Sequence, residues 1–174
     1  SESKPTLLER DWKILTTNNS NITFEGTVIN DETVNKSNKE NYKTSLVLQT
    51  CLTTECTAGE ITFNGKVGFP FVDKDMTSGD RSNYGTYEKI NGQNLYRLDV
   101  KANSININSN IMTWEEQIYR SPVLVGSSDD SLIKFLISVD PSISFLSTVE
   151  DSGADGTHSL IVRAVKLPTV VADP

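Results

Sequence analysis

Residues able to do chemistry are few in this chain and widely spaced. Cys51 and Cys56 bracket the run CLTTEC, His158 is the single histidine, and acids gather at Asp73/Asp75, Asp129-Asp130 and Asp151 to Asp155. Two cysteines and one histidine cannot complete a four-ligand zinc site of the usual Cys/His kind. Two readings stay open for the cysteines: a disulfide across a tight turn, which needs Cα atoms roughly 4.4 to 6.8 Å apart, or two free thiols near a hairpin end. As the base of a hydrolytic triad His158 would need a serine nucleophile. The chain has no G-x-S-x-G elbow, and Gly126-Ser127-Ser128 lacks the frame, so His158 reads as an ordinary loop or strand-start residue. The stretch Asp151-Ser-Gly-Ala-Asp155-Gly156 opens like a calcium loop. It then fails at two ligands, with Gly153 at the third position and Val162 at the twelfth. Phosphate-cradling glycine motifs are absent as well. No cofactor and no metal is expected, and the chain reads as noncatalytic.

A different kind of chemistry is offered by Arg81, Asn83, Tyr84, Tyr87, Asn94, Tyr96, Arg97 and Lys101. Tyrosine faces cover the C–H groups of a sugar, while guanidinium and amide groups satisfy hydroxyls or a carboxylate. Tyr84, Arg81, Asn83, Arg97 and Lys101 are therefore the candidate ligand-binding residues. In the competing reading Tyr84 and Tyr87 are half-buried turn residues that pack on a sheet.

Strands must position these groups. Strand-length, β-branched runs bounded by Gly, Asn, Asp or Pro recur at 12–16, 22–29, 44–52, 60–69, 95–101, 104–108, 131–139 and 159–166, with weaker signals at 115–120 and 144–149. A short helix-like spacing marks 5–12. In Leu95 to Lys101 the alternation predicts one face for Tyr96, Leu98 and Val100 and the other for Arg97, Asp99 and Lys101. Asn64-Gly65 and Asn91-Gly92 read as type I′ hairpin turns. Alternation with one wet face suits antiparallel pairing, and no βαβ rhythm or internal repeat is visible. The expected fold is all-β, an antiparallel two-sheet sandwich of galectin-like or jelly-roll-like form. At 174 residues the chain is expected to form a single domain over 1–174, with a lead-in at 1–10 and a tail at 168–174. The polar run 30–42 reads as a long surface loop.

The formal net charge of -7 opposes a phosphate backbone, so nucleic acid is not an expected partner. No apolar run approaches the ~20 residues of a membrane helix, so no membrane insertion is expected. The start SESKPTLLER reads as a cut boundary, which leaves room for the remainder of a larger surface protein.

FVDKDMTSGDRSNYGTYEKINGQNLYRLDVK, together with the upstream DWKILTT and FEGT, resembles the trypsin-released head domain of the rotavirus spike protein over about residues 11–101. The resemblance implies a galectin-like sandwich, a virion-surface or extracellular location, and a host-cell glycan or glycoprotein receptor as partner. Tyr84 would match the family's Tyr before Gly. The arginine of the family's sialic-acid site has no counterpart in VINDET, and the Lys-Tyr-Tyr-Ser run is absent, so a neutral glycan or another receptor fits better. The function expected is a noncatalytic, lectin-like attachment module. The alternatives are a structural capsid or surface-layer domain that contacts sister subunits, and an extracellular hydrolase with an unrecognised site.

Overall fold

All strand pairings among the described residues are parallel, which corrects the antiparallel sandwich expected from the sequence. The computed structural model describes residues 6–8, 12–16, 18–30, 45–68, 95–113, 115–126, 133–138, 142–153 and 157–164. Among these the chain is all-β, as expected, and holds no helix, so none is long and apolar enough to cross a membrane.

The strands fall on three faces that the chain visits in turn. The first face carries β2 (Trp12–Leu15), β5 (Ser45–Gln49), β7 (Arg97–Lys101), β10 (Gln117–Tyr119) and β13 (Ile143–Phe145). The second carries β3 (Ile22–Phe24), β6 (Glu60–Phe63), β8 (Ser104–Ile107), β11 (Val123–Val125) and β14 (Val149–Asp151). On the third lie β1 (Thr6–Leu8) paired with β4 (Val28–Asn30), and β9 (Ile111–Thr113), β12 (Ile133–Ser138) and β15 (Ser159–Ala164). Single-residue bridges from Val28 to Val67 and from Val67 to Ile111 join those two groups. Successive coils thus stack as a parallel β-solenoid, in which each coil contacts only its neighbours.

In-register stacking turns the interior into lines of like side chains. Ile22, Ile61, Ile105, Val123 and Val149 stand over one another on the second face, and Phe24, Phe63, Ile107, Val125 and Asp151 form the next line. The rings of Phe24 and Phe63 stack with centroids 5.6 Å apart. Ile61, Phe63, Ile105, Ile107 and Val123 are fully buried, and each such side chain stabilises the fold by about 1.5–3 kcal/mol relative to exposure. On the first face Leu46, Leu98 and Gln117 lie over one another, as do Leu48, Val100 and Tyr119.

The alternation behind the antiparallel expectation is real but has another cause. A solenoid wets the outer face of each sheet and dries the inner one, so parallel strands also read apolar-polar, as in the buried-intermediate pattern of β5, β7 and β8. Asn64-Gly65 is likewise a corner, not a hairpin: Val67, just beyond it, pairs in parallel. The positive φ values among the described residues belong to Asn19, Gly59 and Gly68, so Gly65 is not in a type I′ turn. It is needed because a Cβ there would lie 2.2 Å from the backbone of Gly26, one coil below. At the same corner Asn64 Nδ2 donates to Glu25 (2.9 Å) and Asn108 Nδ2 donates to Asn64 Oδ1 (2.8 Å), a ladder of side chains that climbs from coil to coil. The second expected hairpin, Asn91-Gly92, lies outside the described residues. The helix-like spacing near the N-terminus proves to hold β1, and 22–29 divides into β3 and β4 around the corner at 25–27.

Candidate functional site

Period-two geometry on β7 sends Leu98 and Val100 into the core and Arg97, Asp99 and Lys101 outward, as the alternation predicts. Neighbouring coils supply the partners. Arg97 Nε lies 2.8 Å from Glu116 Oε1, and Arg97 Nη2 lies 3.7 Å from Asp99. Arg120, just past β10, grips Asp99 with both ends of its fork, Nε to Oδ1 at 2.7 Å and Nη2 to Oδ2 at 2.9 Å. That hydrogen bond raises the Arg120 pKa, against a smaller lowering by desolvation. Lys101 Nζ donates to the Thr53 carbonyl and Tyr96 donates its hydroxyl to Glu115.

Chemically this surface sets carboxylates beside guanidinium groups, so acceptors and donors alternate within a few ångströms. A lone anion would have to displace Glu116 or Asp99 from the arginines. Hydroxyl groups, which donate and accept at once, fit such a surface without displacing either.

Thr53 belongs to the loop between Cys51 and Cys56. Those two are bridged, with Cα atoms 5.5 Å apart, so the disulfide alternative is the one the structure adopts. The closed loop and Asn19 line an open cleft of about 690 Å³, with Leu52, Thr53, Glu55 and Thr57 on its walls. Lys101 ties this loop to the outer face of β7.

Of the five candidate ligand residues, Arg97 and Lys101 share one face, while Arg81, Asn83 and Tyr84 lie outside the described residues. The chain on either side of those three is nonetheless well placed. Val67 pairs with Ile111 and Leu95 with Thr113, two residues along the same strand β9. Both described residues thus bridge to β9, and Leu95 stands two residues before Arg97.

Sequence reasoning missed one pair. His158 Nδ1 lies 2.6 Å from Asp151 Oδ1, and the backbone N–H groups of Gly153 and His158 also donate to that carboxylate, at 2.9 and 3.1 Å. Led by the Gly153 bond, these hold the Asp151 pKa down at about 2. The calcium-like spacing picks out Asp151 as an acid that bonds its own turn, but it carries no signal of the pairing with His158. No group of three or more potential metal ligands occurs among the described residues.

No family model, curated protein or solved structure matches this chain.

Proposed function

We propose that the chain is a noncatalytic recognition module of a virion or cell surface, binding a neutral glycan or glycoprotein over the outer face of β7 and the adjoining segment 69–94. The observation that supports this reading is the outward row of Arg97, Asp99 and Lys101 on β7, held by Glu116, Arg120 and the Thr53 carbonyl on a rigid scaffold of the kind on which binding residues concentrate. The mixed acid-base surface around Arg97 and Asp99 favours hydroxyl-rich ligands over anions. The Cys51–Cys56 bridge agrees with an oxidising compartment such as a virion surface or the extracellular space. The resemblance to a spike head lends the reading no fold, because the sandwich it implies is not this architecture.

A glycan array is the test. Binding should be saturable and should weaken by about tenfold or more in Tyr84→Ala and in Arg97→Ala, the loss expected when one or two good polar or stacking contacts go. The thermal midpoint should stay unchanged. A blank array removes the glycan from the proposal, and a Tyr84→Ala variant that chiefly unfolds makes the tyrosine a packing residue.

A second reading, an extracellular hydrolase, draws on the His158–Asp151 pair. Turnover on a broad panel of ester, amide and glycoside substrates, lost in His158→Ala, would favour it.

A further inference from the structure

Asn18, Asn21 and Asn35 each begin an Asn-X-Ser/Thr triplet, the acceptor signature of N-linked glycosylation. Asn35 lies outside the described residues. So short a signature arises readily by chance in an Asn-rich chain, and the fold decides which triplet can serve. A transferase must reach the acceptor amide and the hydroxyl two residues later at the same time.

Asn21-Ile22-Thr23 meets that demand. Asn21 leads directly into β3, and period two sends Ile22 into the core while Asn21 and Thr23 stand exposed on the wet side. The Asn21 amide is oriented as well. Its Oδ1 accepts the Glu60 N–H at 2.9 Å, so the Nδ2 branch of the same planar group points away from that donor. A glycosylated asparagine keeps its Oδ1 as an acceptor, and attachment therefore leaves this bond in place. The Asn18 triplet is built differently. Its middle residue, Asn19, has a φ of 54°, and the Asn19 carbonyl presses on Gly59 so closely that a Cβ there would lie 2.6 Å from it. An independent observation concerns the compartment: Cys51 and Cys56 are bridged, and disulfides form in oxidising surroundings such as the lumen where chains are glycosylated.

We infer that Asn21 is an N-glycosylation acceptor whose oligosaccharide stands on the outer side of the second face. The donor is an oligosaccharide linked to a polyprenyl diphosphate. Asn21 Nδ2 forms a bond to the first sugar's anomeric carbon while the bond from that carbon to the diphosphate oxygen breaks. The amide gives up one proton, and the polyprenyl diphosphate leaves with the electron pair of the broken bond. Nothing is oxidised or reduced. Beside the attachment point Asn106 Nδ2 donates to Thr62 Oγ1 (3.1 Å) and to Glu60 Oε2 (3.3 Å), a polar surface that suits the first sugar's hydroxyls. The glycan is rooted on the second face, whereas Arg97, Asp99 and Lys101 look outward from the first. Such a glycan presupposes the virion- or cell-surface location proposed above and no particular ligand.

The test is the intact mass of the full chain secreted from eukaryotic cells behind a signal peptide. The mass should exceed that of the sequence by one oligosaccharide. A peptide N-glycosidase should remove it and leave an aspartate where Asn21 stood. Asn21→Gln should abolish the shift. Thr23→Val should do the same while the Asn21 bond to Glu60 stays, and Thr23→Ser, which restores a hydroxyl, should keep the glycan. An unshifted mass would overturn the inference, as would a shift that survives Asn21→Gln, which would move the glycan to another triplet, or one that survives Thr23→Val. A blank glycan array leaves this result unaffected, because the mass reports a sugar that the chain carries and the array one that it binds.

Discussion

Replacing Gln117 with leucine puts the interior of the solenoid to a quantitative test. Gln117 is fully buried between Leu98 and Ile143 in an otherwise apolar line. Its Oε1 accepts the Tyr119 hydroxyl at 2.8 Å and its Nε2 donates to Thr113 Oγ1 at 3.2 Å. Burial pushes the Tyr119 pKa far up, so the hydroxyl remains a donor wherever the protein is folded. Leucine has nearly the right volume and is cheaper to dehydrate, but it strands that donor in the core, at a cost of about 1–3 kcal/mol. With part of this offset by apolar burial, the expected net loss is about 1–2 kcal/mol. For a urea slope of about 1–3 kcal/mol per molar, the unfolding midpoint should fall by roughly 0.5–1 M at unchanged slope. The decisive comparison is Tyr119→Phe. In the natural chain it removes a made hydrogen bond and should lower the midpoint. In the Gln117→Leu background it removes an orphan and should raise it. If Tyr119→Phe lowers the midpoint equally in both, the two groups do not act as a pair and this account of the core is wrong.

Three further outcomes are expected. Because the folded pKa of Asp151 is held at about 2, below its ordinary 3.8, its contribution is present above about pH 4 and lost as the pH falls through that window. Melting curves of the natural chain and Asp151→Asn should therefore differ at pH 5 and converge toward pH 2, and a constant gap would refute the assignment. Cys51→Ser/Cys56→Ser should lower stability by ~2 kcal/mol, the loop-closure value for so short a ring, and calorimetry showing no change would mean that Lys101 and the turn hold the loop unaided. Gly65→Ala drives a methyl into the Gly26 backbone and should cost about 2 kcal/mol or more, whereas a simple hairpin glycine would shift no neighbouring coil; amide shifts at Gly26 and Thr27 distinguish the two.

Much of the strand pattern was legible in the sequence, and its connectivity was not. Leu98 and Val100 against Arg97, Asp99 and Lys101 could be assigned to faces because a strand has period two whatever it pairs with. The direction of pairing leaves no such mark. Asn64-Gly65 serves a solenoid corner as well as a hairpin, since both need a small residue and a side-chain bond at a sharp bend. A repeat was hidden by uneven coils: Trp12, Leu46, Leu98, Gln117 and Ile143 stack in register at intervals of 34, 52, 19 and 26 residues. β9 and β11 escaped notice because three-residue strands are too short to show a period. Lys134 and Ser138 share the buried side of β12 with Leu136, a polar content of the interior that an apolar run does not announce. Of the site, the two β7 residues were placed correctly by alternation, the disulfide was one of two open readings, and the His158–Asp151 pair depended on a turn that no spacing rule describes.

Unequal lengths of chain separate Asn30 from Ser45 and Gly68 from Leu95, yet β5 and β7 pair residue for residue from Ser45 opposite Arg97 to Gln49 opposite Lys101. The frame thus keeps its pitch whatever length of chain feeds each rung: adding residues to either stretch of sequence should leave Leu46 under Leu98 and Leu48 under Val100.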